Sequence, residues 1–226
     1  QLMKQIVVDQ EMIRTSELKA LQSQINPHFL FNTLGCVIGM AMHYRVEPLE
    51  QIVTALSDSL HYALRAPDEV TLQQEIDHLQ DYMRILEIRM PDKYRLLQQV
   101  EEEALGCSVL SLMLQPLVEN AIFNGIEPGG KHGTILIHAY RQGDVFIIKV
   151  RDNGVGIARE KMASILNHTE KVKGSSMSGI GLPNVDRRIK LNYGEEYGLT
   201  IESQEGEFTE ITIKMPLEYE CEGESR

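Results

Sequence analysis

Residues 114–125 read Leu114-Gln115-Pro116-Leu117-Val118-Glu119-Asn120-Ala121-Ile122-Phe123-Asn124-Gly125, within a stretch, 110–125, whose pattern predicts a helix. Asn120 and Asn124 stand four residues apart, so a helix places both on one face, with Glu119 alongside. Asn side-chain oxygens are hard ligands, suited to Mg²⁺ bridging phosphates. The plainer alternative is a polar helix edge closed by Gly125 as a C-cap. Alone the stretch does not decide between them, but its surroundings do.

Downstream, Ile135–Tyr140 and Val145–Val150 flank Arg141-Gln142-Gly143-Asp144, the signal of a β-hairpin. Asp152-Asn153-Gly154-Val155-Gly156-Ile157 leaves the end of the second strand. Glycines let a backbone come close to a ligand, and a buried Asp after a strand can accept a hydrogen bond from an exocyclic amine. A short helix is expected at 158–167, then a polar stretch from His168 to Ser178. Gly179-Ile180-Gly181-Leu182-Pro183-Asn184-Val185 opens a helix from about Pro183 to Asn192, and a helix N-terminus favours phosphate. Each glycine pair reads equally well as an ordinary turn. Gly179-x-Gly181 is not a dinucleotide fingerprint, because no third glycine and no βαβ unit accompany it. Leu199–Ser203 and Glu210–Met215 form a second hairpin, turning at Glu205-Gly206. An acidic tail, expected to fray, follows Pro216.

Upstream, Thr71 caps a helix carrying Leu72, Ile76, Leu79, Met83 and Leu86, which ends before Pro91. Residues 94–100 read as a strand. Ala66-Pro67-Asp68 marks a domain boundary. Before it, Leu2 to about Tyr44 reads helical, with Leu18, Leu21 and Ile25 on one face. From Phe29 to Met42 apolar residues surround most of the helix, as in one buried on several sides. Arg45–Pro48 breaks it, and a second helix carries Leu49, Ile52, Leu56, Leu60 and Ala63 on one stripe. Such a hairpin cannot cover both its faces, whereas two copies forming a four-helix bundle can, so a homodimer is predicted. The fold expectation is α+β. Residues 1–66 form a leading helix and helical hairpin, 67–220 an α/β sandwich with helices on one sheet face, and 221–226 a tail.

The first helix carries Gln24-Ile25-Asn26-Pro27-His28-Phe29-Leu30-Phe31-Asn32. His28 continues the Leu21/Ile25 stripe and Asn32 lies one turn on. Pro27 removes a backbone donor and tends to kink the helix. A core histidine satisfied by a neighbour is the bland alternative. An imidazole with its ordinary pKa of about 6.5 is mostly neutral near pH 7 and can act as a nucleophile.

Composition narrows the classes. The 226 residues carry a formal net charge of −11, which argues against nucleic acid as a partner, since that needs a basic face. No run of 18 apolar residues occurs, so nothing here is expected to span a membrane or contact one. The chain opens on Gln1 without a signal-peptide pattern. It is therefore expected to be a fragment, with a membrane segment upstream in its parent. Cys36, Cys107 and Cys221 form no CxxC pair, and their odd number fits a reducing compartment.

Together these clusters resemble a known combination. The C-terminal part is similar to the Bergerat-fold (GHKL) ATP-binding domain shared by histidine kinases, DNA gyrase and mismatch-repair ATPases. Glu119-Asn120 to Asn124 matches its N box, Asp152-x-Gly154-x-Gly156 its first glycine box and Gly179-x-Gly181 its second. Asn26-Pro27-His28-Phe29-Leu30-Phe31-Asn32 resembles the phosphoacceptor motif of the LytS/YesM class of sensor histidine kinases. The helix Thr71 to Arg89 and Tyr193-Gly194-Glu195-Glu196-Tyr197-Gly198 also look YesM-like.

The resemblance implies a cytoplasmic catalytic core of a membrane-anchored bacterial sensor, with ATP and Mg²⁺ as cofactors. His28 would be the phosphoacceptor, and the phosphoryl group would pass to an aspartate on a response regulator. Asn120 would hold the Mg²⁺, with Asn124 donating toward phosphate. Asp152 would read the adenine amino group, Gly154 and Gly156 would shape its pocket, and Gly179 and Gly181 would border a lid at His168–Ser178 carrying Lys171 and Lys173. Glu119 would take the proton from His28, unless no dedicated base is needed. Asn32 is either a packing amide or the group that orients a water for regulator dephosphorylation. The family often has Lys-His-Gly where this chain has Phe123-Asn124-Gly125, which points to weaker nucleotide binding or a slower kinase. Two alternatives stand beside this: a GHKL ATPase with Glu119 activating water, and a degenerate kinase acting as a binding module. Acid-labile phosphate on His28 separates the first reading from both.

Overall fold

The computed structural model describes residues 27–44, 46–130, 132–158 and 181–218, and of residues 27–33 and 36 the backbone alone. Contacts divide the chain into two compact units, Gln1–Ser57 and Asp58–Arg226.

The first unit contains helix α1 (Pro27–His43) and most of α2 (Glu47–Arg65). Between them Val46 N–H donates to the Ala41 carbonyl (2.9 Å), and the Val46 carbonyl accepts from Leu49 and Glu50. Helix α2 thus begins one residue before Pro48, whose missing N–H falls among the first-turn groups that have no intrahelical partner. Met40, Met42, Tyr44, Leu49 and Leu56 remain exposed, while Ala41, Val53 and Ala55 are buried. Among the described residues no helix is long and apolar enough to cross a membrane.

The second unit follows with β1 (Glu69–Thr71), α3 (Leu72–Arg89), β2 (Tyr94–Val100), β3 (Ser108–Leu110), α4 (Leu114–Asn120), β4 (Gly133–Gln142), β5 (Val145–Asp152), α5 (described as Gly181–Tyr193), β6 (Gly198–Gln204) and β7 (Phe208–Pro216). Thr71 starts α3 as expected: its hydroxyl accepts from Gln74 N–H, and the Gln74 side chain returns the bond to Thr71 N–H. This reciprocal box satisfies two donors that a helix start leaves open. Both expected hairpins are present, with Gly143 and Gly206 at positive φ in their turns.

The five-stranded sheet has the order β2-β4-β5-β7-β6. Every neighbouring pair is antiparallel except β2 and β4, which run parallel. Separately, β1 pairs with β3, putting Val70 opposite Val109. The main sheet turns most of its buried apolar residues to one face, as the alternation predicts, and Ile147 is buried on the other. One inward row runs Ala139–Ile148–Ile213–Leu199 and the next Ile137–Val150–Ile211–Ile201. Helices α3, α4 and α5 contribute Leu72, Ile76, Leu79, Leu114, Leu117, Leu182, Val185 and Ile189 to the same core. The opposite face carries Lys149, which donates to Glu210 at 2.7 Å, and Arg151, which lies over the Phe208 ring. Buried Asp186 fastens α5 to the sheet by accepting from Leu199 N–H at 2.7 Å and from Lys190.

Candidate active site

The third inward row of the sheet changes character: it reads Ile135–Asp152–Thr209–Ser203. Cross-strand pairing thus points the Asp152 carboxyl to the core side, at the sheet's end, where it is 3% exposed. Burial disfavours its charge and raises its pKa from 3.8 to about 6, although backbone N–H groups of Gly154 and Thr209 pull the other way. Ser203 Oγ lies 3.1 Å from Thr209 Oγ1 and accepts from Ile157 N–H at 2.8 Å.

Glycines crowd this carboxyl. A Cβ on Gly125 would stand 2.5 Å from Asp152 Oδ1, and one on Gly154 would land on the Gly125 backbone. Gly156 has φ +66°, and a Cβ there would meet the Gln204 carbonyl. Hydrogen bonds lock the loop in place. Asp152 Oδ1 accepts from Gly154 N–H (2.9 Å), the Gly125 carbonyl from Val155 N–H (2.8 Å) and the Val155 carbonyl from Gly206 N–H (2.7 Å). Asn153 accepts from Thr134 N–H at 2.7 Å.

Gly125 comes from the helix quoted at the outset. That helix is α-helical only to Asn120 and continues as a π-turn over Ala121–Ile126. Single π-turns inside helices concentrate at functional sites. Gly125 lies inside this turn rather than capping the helix, and its φ is not positive. Its role is close approach. The Asn124 amide donates to Asn120 Oδ1 at 2.8 Å, so the two asparagines do share a face. Glu119 accepts from Gln115 at 2.8 Å, and its charge adds to burial in raising the pKa of Tyr82.

The start of α4 also departs from the expected helix. Residues 108–110 are strand β3, and Leu112 takes the left-handed conformation with φ 57°. This costs a non-glycine residue roughly 1–2 kcal/mol. Glu75 on α3, 1% exposed, holds the turn. Its carboxylate accepts from Leu112 N–H (2.6 Å), Met113 N–H (3.0 Å), Leu114 N–H (3.1 Å) and the Tyr62 hydroxyl (2.7 Å). An anion at a helix N-terminus is favoured by both the free N–H groups and the helix dipole.

Two family models match the chain. The model described as "Histidine kinase" matches residues 16–94, and that described as "Histidine kinase-, DNA gyrase B-, and HSP90-like ATPase" matches residues 109–219. The chain belongs to the histidine kinase family. Sensor histidine kinase YesM of Bacillus subtilis is 35% identical over 97% of this chain and 37% of its own length. Sensor histidine kinase YpdA of Escherichia coli is 38% identical over 91% of this chain and 35% of its own. The chain thus spans about a third of the length of these curated relatives. The solved catalytic domain of histidine kinase ThkA is 20% identical, with a TM-score of 0.52 over 66% of this chain and 97% of that one. It shares the fold.

In this histidine kinase family member the two halves of the expected ATP-domain motif set meet. Asn120 and Asn124 arrive on the π-turned helix, Asp152, Gly154 and Gly156 on the loop after β5, and Gly125 against Gly154 joins them. Gly181 lies where a Cβ would stand 3.2 Å from Pro116 of α4. Gly179, the 159–180 stretch with Lys171 and Lys173, and the side chains of His28 and Asn32 lie outside what is described; the backbone of residues 28 and 32 lies in α1. His132 contributes a loop contact, donating through Nδ1 to the Asp92 carbonyl at 2.7 Å. Sequence reasoning did not single out Glu75, His78, Gln115, Ser203 and Thr209. The register Asp152↔Thr209 is long-range and leaves no local signal.

Proposed function

We propose that this chain is the catalytic portion of a dimeric sensor histidine kinase, in which ATP phosphorylates His28 and the phosphoryl group then passes to a response-regulator aspartate. The carrying observation is Asp152, a buried carboxyl at the end of a sheet whose surroundings admit no side chain at Gly125 or Gly154. A buried acceptor on a glycine-lined surface suits a flat base with an exocyclic amine. Its relatives' names support the reading.

The residues fit the proposed ligands. Asn120 Oδ1 has two lone pairs, and Asn124 takes one; the other would hold Mg²⁺, which usually binds through one or two protein oxygens plus phosphates and water. Such a cation offsets charge on the phosphates. In the transfer an imidazole nitrogen of His28 attacks the γ-phosphorus. An N–P bond forms, the bond from phosphorus to the bridging oxygen breaks, and ADP leaves with that electron pair. The proton on the other ring nitrogen goes to Glu119. Positioning and charge stabilisation carry most of such a reaction.

Residues 1–66 are assigned to signalling, dimerisation and phosphoacceptance, 67–220 to ATP binding and 221–226 to a tail. Exposed Met40, Met42, Leu49 and Leu56 on the helical hairpin support the homodimer. The parent is assigned as a membrane-anchored bacterial sensor with this portion in the cytoplasm. Asn32 is assigned the orientation of a water for regulator dephosphorylation.

Incubation with γ-labelled ATP and Mg²⁺ tests the reading. Acid-labile, alkali-stable label is expected on the chain and absent from His28→Ala. Label that persists in His28→Ala would overturn the acceptor. ATP turnover with no protein label would favour an ATPase instead.

A further inference from the structure

Glu119 is the end of a run of side chains that begins on α2 and is joined by one ring stack and two hydrogen bonds. Its carboxylate can only accept, so the Gln115 amide turns its NH₂ toward it, at 2.8 Å. The Gln115 oxygen therefore faces the other way, 2.9 Å from His78 Nε2. An amide oxygen also can only accept, so His78 carries a hydrogen on Nε2. The His78 ring is 5% exposed and stacks on Tyr62 with centroids 4.2 Å apart and planes 17° from parallel. Burial and the Glu75 charge raise the Tyr62 pKa, so its hydroxyl stays a donor, to Glu75 at 2.7 Å.

Two branches thus leave Tyr62. One, through Glu75, holds the backbone at the start of α4. The other runs through the ring stack to His78, on to Gln115 in the first turn of α4, and from there to Glu119. It ends on the carboxylate next to Asn120.

We propose that His78 and Tyr62 are positioning residues for the Glu119 carboxylate, acting through Gln115, so that the last turns of α2 set the geometry of proton acceptance in phosphoryl transfer. This rests on the reading of Glu119 as the acceptor of the His28 proton. The relay touches neither Asp152 nor the glycine loop, so it governs the rate of transfer rather than nucleotide affinity.

The test is a double-mutant cycle on the full chain. His78→Phe keeps a ring on Tyr62 and removes the donor, while His78→Gln restores an amide N–H near the place of Nε2. Single-turnover labelling from ATP and affinity for ADP are measured for each, in the native and Glu119→Gln backgrounds. His78→Phe is expected to slow labelling about tenfold with ADP affinity within about twofold, and His78→Gln to recover most of the rate. In the Glu119→Gln background His78→Phe is expected to cost nothing further. An equal loss in both backgrounds, a loss confined to ADP affinity, or no loss overturns the proposal. Should His78→Phe not fold, Gln115→Met cuts the same chain at its middle and is read by the same cycle. A failure of the underlying reading looks different: either the native chain leaves His28 unlabelled, or Glu119→Gln labels at the native rate and the relay falls with its end point.

Discussion

Replacing Asp152 by Asn separates the cost of the site from its use. Burial moves the carboxyl from 3.8 to about 6, a difference that costs the folded protein about 3 kcal/mol once the group is ionised. The sign follows from proton counting. Between those pH values the folded state binds the proton more tightly than the unfolded state, so stability falls as pH rises through the window. It is greatest below about pH 4, and the full cost is present above about pH 6. Asp152→Asn has nothing to ionise and keeps an oxygen for Gly154 N–H. Urea unfolding without nucleotide is therefore expected to show the variant close to the native protein at pH 4, and more stable by up to about 3 kcal/mol at pH 7.5. Affinity for ADP is expected to fall by roughly ten- to a hundredfold at pH 7.5, the worth of a hydrogen bond to a charged acceptor. In the native protein ADP affinity should also weaken as pH drops below about 6. A stability gain equal at both pH values, or none at pH 7.5, would refute burial as the origin of the raised pKa.

Gly154→Ala would place a Cβ on the Gly125 backbone; a stability loss of about 3 kcal/mol in urea unfolding is expected, with loss of ADP binding. Glu75→Ala leaves three backbone N–H groups and the Tyr62 hydroxyl without their acceptor, and thermal unfolding should report a loss of about 4 kcal/mol. Leu56→Asp puts a charge on an exposed apolar position of α2; light scattering is expected to find a dimer for the native chain and a monomer for the variant. Asn32→Ala is expected to leave labelling of His28 intact and slow dephosphorylation of the regulator.

Local features were legible and long-range ones were not. The β4–β5 and β6–β7 hairpins could be read because alternation and turn residues lie within a few positions of each other. Thr71 could be read as a cap because its partner, Gln74, is three residues away. The parallel pairing of β2 with β4 has no such signature, since the partners are about 40 residues apart. Helical periodicity also continued across Leu110–Met113, where Glu75 from another helix stabilises a left-handed turn. Gly125 shows the limit most plainly. A glycine at a helix end reads as a cap, whereas the structure uses its missing side chain to admit Asp152, 27 residues on. Asp152 itself was legible by motif. That burial would raise its pKa was not, because the row that buries it is assembled from four strands.

That row also bears on which parts of the site can move. Ile135–Asp152–Thr209–Ser203 is the next rung of the ladder that holds Ile137, Val150 and Ile211 in the core. Amide hydrogens along it should exchange with solvent only when the whole sheet opens, whereas those of the 153–158 loop can exchange through smaller openings. A ligand resting on Asp152 would therefore be coupled to global unfolding, and its binding energy should appear almost undiminished as a shift in melting temperature. Any switching between active and inactive arrangements has to be confined to the walls around this rung.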